Sequence, residues 1–158
     1  MVSLTGLLLF PHLPLLDEGG ISEGVLSKRL SHRFVFLLRW VITTVYSFLL
    51  IAILLLFLHA RGAQFEPYAM LVGTVLTTLI LGTFGMLITQ LTQTVSAGYI
   101  LAFAWFLLDL LTHGKLTGRF YLFSMNTGHW NDEKLWLGLL AMIFVGLCAY
   151  LIPYKRFI

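Results

Sequence analysis

From Pro67 to Leu108 the chain runs for 42 residues without a single Asp, Glu, Lys, Arg or His. Soluble domains carry about one charged residue in four, so a stretch of this length calls for surroundings that do not hydrate charge. One helical membrane crossing takes about 20 residues. The run is therefore read as two crossings joined by a tight turn, at 67–88 and 96–111. The turn is placed in Thr89–Gly98, where hydroxyls and amides replace aliphatic side chains.

Other charge-poor runs extend the pattern. Residues 35–58 are long enough to cross and end in a nearly continuous aliphatic stretch, and 135–154 are closed by Pro153 and then Lys155-Arg156. Residues 1–16 are apolar but short and are broken by Pro11 and Pro14, so they read as a short N-terminal hydrophobic helix. Over the whole chain 59% of residues are hydrophobic and 11% charged, with a mean hydropathy of +0.92. The expected fold is all-α: a polytopic transmembrane helical bundle of four full spans plus the short N-terminal segment, forming one domain over 1–158.

Several function classes are excluded or left without support. The net charge of +3 is scattered, so no nucleic-acid partner is expected. Neither a G-x-x-x-x-G-K-[ST] loop nor a G-x-S-x-G elbow occurs. The five histidines lie at least 16 residues apart and none forms a local metal pair. The one cysteine, Cys148, sits in an apolar run and reads as a buried, inert thiol. No enzymatic site and no metal are expected.

Orientation follows from the basic residues. Lys28, Arg29, Arg33, Arg39, Lys155 and Arg156 fall on one side, and Arg61, Lys115, Arg119 and Lys134 on the other. The excess places residues 17–39 and the C-terminus in the cytoplasm. Trp40, Tyr68, Tyr99, Trp136, Tyr150 and Tyr154 fall near span ends, where amphipathic rings belong.

Asp109 is the one acid inside an apolar run. A carboxylate at mid-bilayer costs about 2.5–3.5 kcal/mol on insertion scales. Its place near the outer end of a span leaves relief to water or to Lys115 or Arg119. With Thr77 and Thr78 it is a candidate for a transport path, against the plainer reading of intrachain packing. Gly73, Gly82, Gly85 and Gly98 would let helices approach closely, whereas Gln90 and Gln93 read as solvating a cytoplasmic turn.

The most informative stretch is 17–33, D-E-G-G-I-S-E-G-V-L-S-K-R-L-S-H-R. Acids lead, bases follow, and Ile21, Val25 and Leu30 supply an apolar stripe. That order suits a short interfacial helix and its dipole. A hydrophobic segment ending in acids, followed by Gly20, Ile21, Glu23, Leu26, Ser27, Lys28 and Ser31 and then a long span, resembles the permease subunits of type-2 ATP-binding cassette exporters. The resemblance continues through Leu81-Gly82-Thr83-Phe84-Gly85-Met86-Leu87-Ile88, a polar turn, and the aromatic external segment with Phe120-Tyr121-Leu122-Phe123 and Trp130.

The resemblance implies that 17–33 is a cytoplasmic coupling helix whose Asp17, Glu18, Gly20, Ile21, Glu23, Leu26, Ser27 and Lys28 contact a separate ATPase subunit. It implies an external re-entrant or loop segment at 112–134, and a second permease subunit as homo- or heterodimer partner. ATP with magnesium would be bound by the ATPase and no cofactor by this chain. The expected location is the plasma membrane, in bacteria the inner membrane. Family members usually have six spans, and the resemblance implies that this sequence begins near the end of the second, as a truncated or split permease would. A small membrane scaffold or immunity-type protein that transports nothing is the rival expectation.

Overall fold

The computed structural model describes residues 8–14, 32–62, 67–112, 115, 122 and 133–154. Among them the regular elements are helices: α1 (His32–Ala60), α2 (Pro67–Thr92), α3 (Val95–Thr112) and α4 (Glu133–Tyr154). Three of these, over Arg33–Ala60, Tyr68–Thr92 and Val95–Thr112, are long and apolar enough to cross a membrane. In α4 the apolar stretch is shorter, Trp136–Leu151, within a helix of 22 residues.

Local chemistry sets the helix ends. Gly62 has φ +87°, the left-handed conformation that glycine adopts freely. Its N–H bonds the His59 carbonyl at 3.0 Å and closes the last turn of α1. Proline opens α2, at the one helical position where its missing N–H costs nothing. Gln93, at φ 59°, turns the chain out of α2, and its N–H bonds Thr89 at 2.8 Å.

The connection between α2 and α3 is shorter than the sequence implied. Thr89, Gln90, Leu91 and Thr92 continue α2, so the non-helical turn is only Gln93 and Thr94. The polar side chains survive in the helix because threonine hydroxyls donate to carbonyls four residues back: Thr89 to Gly85 at 3.0 Å and Thr92 to Ile88 at 2.8 Å. Gln90 accordingly does not solvate a turn; it is buried on α2.

α2 is the central helix and packs on α1, α3 and α4. Half of its spanning window is buried, against 17% of that of α1. The outer helices each turn one stripe inward: Phe36 and, three turns on, Ser47, Ile51 and Leu55 on α1; at three- and four-residue spacing, Gly98, Ala102, Phe106 and Asp109 on α3 and Leu137, Ala141, Val145 and Cys148 on α4. Most of the rest of their surface is apolar, and much of it is exposed, which suits hydrocarbon as solvent.

Small residues hold α2 and α3 together. A Cβ on Gly98 would lie 2.2 Å from the Thr89 hydroxyl oxygen and 2.5 Å from the Gly85 carbonyl oxygen, so only glycine permits this crossing. Two apolar clusters stack along the bundle. One joins Phe10, Leu13, Phe36, Met86, Val145 and Cys148. The other joins Ile80, Leu81, Phe106, Leu122, Leu137 and Ala141.

Candidate functional site

Two features stand out in the interior, one associated with each cluster. In the second cluster Asp109 is fully buried on the inner stripe of α3. Its Oδ2 accepts a hydrogen bond from the backbone N–H of Leu122. The Leu122 carbonyl is held from α2: the Thr77 hydroxyl lies 3.0 Å from it and 2.8 Å from the Gly73 carbonyl, sharing one proton between them. Both polar groups of one residue in the α3–α4 connection are thus satisfied by side chains of two different helices. That matters in hydrocarbon, where unpaired backbone groups cost several kcal/mol each.

Leu122 itself is buried among Ile80, Leu81, Phe106, Leu137 and Ala141. The connection between α3 and α4 therefore enters the bundle at this residue. Of the three path candidates, Asp109 and Thr77 converge on Leu122. Thr78 does not: its hydroxyl is buried and has no partner among the described residues. Lys115, one of the two bases expected to relieve Asp109, is exposed, and Arg119 lies outside the described residues.

The second feature is the N-terminal segment. After Leu8 and Leu9 the chain breaks from helix into turns through Pro11 and Pro14. Phe10 is fully buried against Gly82, where an added Cβ would fall 2.5 Å from the Phe10 ring. Pro11 covers Gly85, where an added Cβ would fall 3.1 Å from the proline ring. The Tyr99 hydroxyl donates to the Leu8 carbonyl at 3.0 Å, and the His12 ring meets the Tyr99 ring edge-on with centroids 5.6 Å apart. This segment is wedged across the α2–α3 seam.

Phe10 and Leu13 share their cluster with Phe36, and Trp40 packs against it. Chain leaving at Pro14 and returning at His32 is thus tied at both ends to one apolar cluster. The predicted coupling residues Asp17, Glu18, Gly20, Ile21, Glu23, Leu26, Ser27 and Lys28 all belong to that excursion and lie outside the described residues.

Sequence reasoning found Asp109 from its isolation and the glycines from their size. It missed Leu122, which acts through its backbone, and Phe10, one aromatic in an apolar run. Cys148 is buried in the first cluster, as its setting suggested. Compared with models of protein families, with curated proteins and with solved structures, the chain shows no match.

Proposed function

We propose that the chain is the membrane-spanning permease subunit of an ATP-binding cassette exporter, driven by a separate ATPase subunit. The observation that carries this reading is the run from Asp17 to Ser31 set between two anchored stems. Its acids, apolar stripe and bases resemble a coupling helix. Its stems, Phe10 and Leu13 before and Phe36 and Trp40 after, meet in a cluster that also holds Met86 of α2 and Val145 of α4. A push on this excursion reaches the central helix through packed side chains, which interiors transmit because they yield little.

On this reading all four helices cross the bilayer. α4, at 22 residues, is about 33 Å long, enough for a hydrocarbon core of about 30 Å. Residues 17–39 and the C-terminus face the cytoplasm, and the connection carrying Leu122 faces outward. Asp109, Thr77 and Leu122 would stand at the outer half of the path. An ionisable group inside a spanning helix is by default a candidate for function. The protein would work in a plasma membrane, in bacteria the inner membrane, beside a second permease subunit.

The rival reading, a non-transporting membrane scaffold, draws on one observation. Thr83 and Thr89 already donate to carbonyls of their own helix, which leaves those hydroxyls committed to α2. Affinity purification of the full chain from its native membrane separates the two. The exporter reading expects a cassette ATPase to co-purify and hydrolyse ATP; a preparation with no ATPase leaves the scaffold.

A further inference from the structure

A threonine inside an apolar helix can satisfy its hydroxyl by donating to the carbonyl four residues back. On α2, Thr74, Thr77, Thr83, Thr89 and Thr92 all do so, at 2.7 to 3.0 Å. Thr78 does not. The residue is 1% exposed, and its hydroxyl oxygen is buried with no partner among the described residues. A threonine rotamer that reaches the Thr74 carbonyl exists, and this side chain does not adopt it. A buried hydroxyl left unpaired costs its full desolvation, so one turned away from its own helix calls for a partner elsewhere.

Packing brings Thr78 level with Asp109. Where α2 and α3 cross, a Cβ on Gly85 would lie 3.4 Å from the Ala102 Cβ. Four residues back on α2 and four forward on α3, Leu81 and Phe106 share one cluster. Three more in the same directions are Thr78 and Asp109, both buried. Leu122 leads to the same level. The Thr77 hydroxyl, one residue before Thr78, lies 3.0 Å from the Leu122 carbonyl, and the Asp109 carboxylate accepts the N–H of that same leucine. Two buried polar side chains of facing helices thus stand at one depth with no direct bond between them.

We infer that a water molecule is bound between the Thr78 hydroxyl and the Asp109 carboxylate, joining α2 to α3 inside the bundle. Polar groups too far apart for a direct bond are commonly bridged this way, and buried waters serve groups that would otherwise go unpaired. A carboxylate offers about four acceptor sites, so it admits a donor from water beside the Leu122 N–H. The same water accepts the Thr78 proton. An apolar molecule would leave the hydroxyl unpaired, and an acceptor-only one would be repelled by the carboxylate. The site therefore takes a small neutral molecule that both donates and accepts. Thr78 joins Asp109 and Thr77 through that molecule, as a positioning residue. The inference rests on the packing of α2 against α3 and not on the exporter reading.

Thr78→Val tests it, since valine keeps the branched shape and similar helix preference and removes the hydroxyl. The readout, on the full purified chain, is the temperature at which the buried Cys148 becomes reactive to a thiol dye. Removing a hydroxyl that bonds nothing should leave this midpoint unchanged or raise it. Removing one that holds the water should lower it by about 2 °C or more. Thr78→Val combined with Asp109→Asn should lose less than the sum of the two single losses, because both act on one water. An unchanged or raised midpoint in Thr78→Val overturns the inference. Additive losses overturn it too, since they assign the hydroxyl to a partner other than Asp109, such as the Thr74 carbonyl. Neither readout involves an ATPase, so failure here is distinct from failure of the exporter reading.

Discussion

The Asp109 carboxylate accepts the backbone N–H of Leu122, thirteen residues further along the chain, in the buried interior between α2 and α3. The acid thereby fixes a point of the α3–α4 connection, and Thr77 fixes the carbonyl of the same residue. Asp109→Leu removes the acceptor and strands a buried N–H, which costs about 1–3 kcal/mol. Asp109→Asn retains one acceptor oxygen and should cost less. Heating the purified protein with a thiol-reactive dye reads this directly, because the only cysteine, Cys148, is buried until unfolding. The labelling midpoint should fall in the order wild type, Asp109→Asn, Asp109→Leu.

The α2–α3 crossing gives a second prediction. Gly98→Ala would push a methyl group to within 2.2 Å of the Thr89 hydroxyl oxygen and 2.5 Å of the Gly85 carbonyl oxygen. The backbone of α2 must move to admit it, at a cost of about 1–3 kcal/mol. Gly146→Ala meets nothing within 4 Å and serves as the control. The same dye assay should show a lower midpoint for the first variant and an unchanged one for the second.

The N-terminal wedge gives a third. Phe10 fills a slot that exists because position 82 is glycine. Phe10→Ala empties the slot at a cost of about 3–5 kcal/mol, the usual range for a buried phenylalanine. Gly82→Ala overfills it. Combining Gly82→Ala with Phe10→Leu should recover stability beyond the sum of the single effects, since the two residues share one space. Additive losses in the double variant would show that the wedge does not sit over Gly82.

How much of this was legible in the sequence depends on the kind of group that acts. The spanning helices were legible because charge is excluded from hydrocarbon, and the charge-free runs mark α1, α2 and α3 to within a few residues. The turn near Thr89 was drawn too wide, since a threonine that bonds its own helix is chemically the same residue as one that ends a helix. Asp109 stood out because an acid in an apolar run is costly. Leu122 could not stand out, since its contribution is a peptide group that every residue but proline also carries.

Topology is checked by cysteines at Ser27 and Thr127 in a Cys148→Ala background, labelled with membrane-impermeant reagents. Three proposed crossings, α1 to α3, lie between these two positions, and an odd number puts them on opposite sides. Ser27→Cys should react from the cytoplasmic side and Thr127→Cys from the outer side. Labelling of both from one side contradicts the proposed topology.

Whether residues 17–33 dock on an ATPase is read from the effect of Glu23→Lys on ATPase association. The residue lies in the excursion read as the coupling helix, outside the spanning segments. Charge reversal at a protein interface can cost several kcal/mol where it sets like charges together. Glu23→Lys should insert normally and reach normal abundance in the membrane, with the co-purifying ATPase and its ATP hydrolysis sharply reduced. Undiminished ATPase binding and hydrolysis in Glu23→Lys would contradict the assignment of residues 17–33 as the coupling segment, and with it the exporter reading.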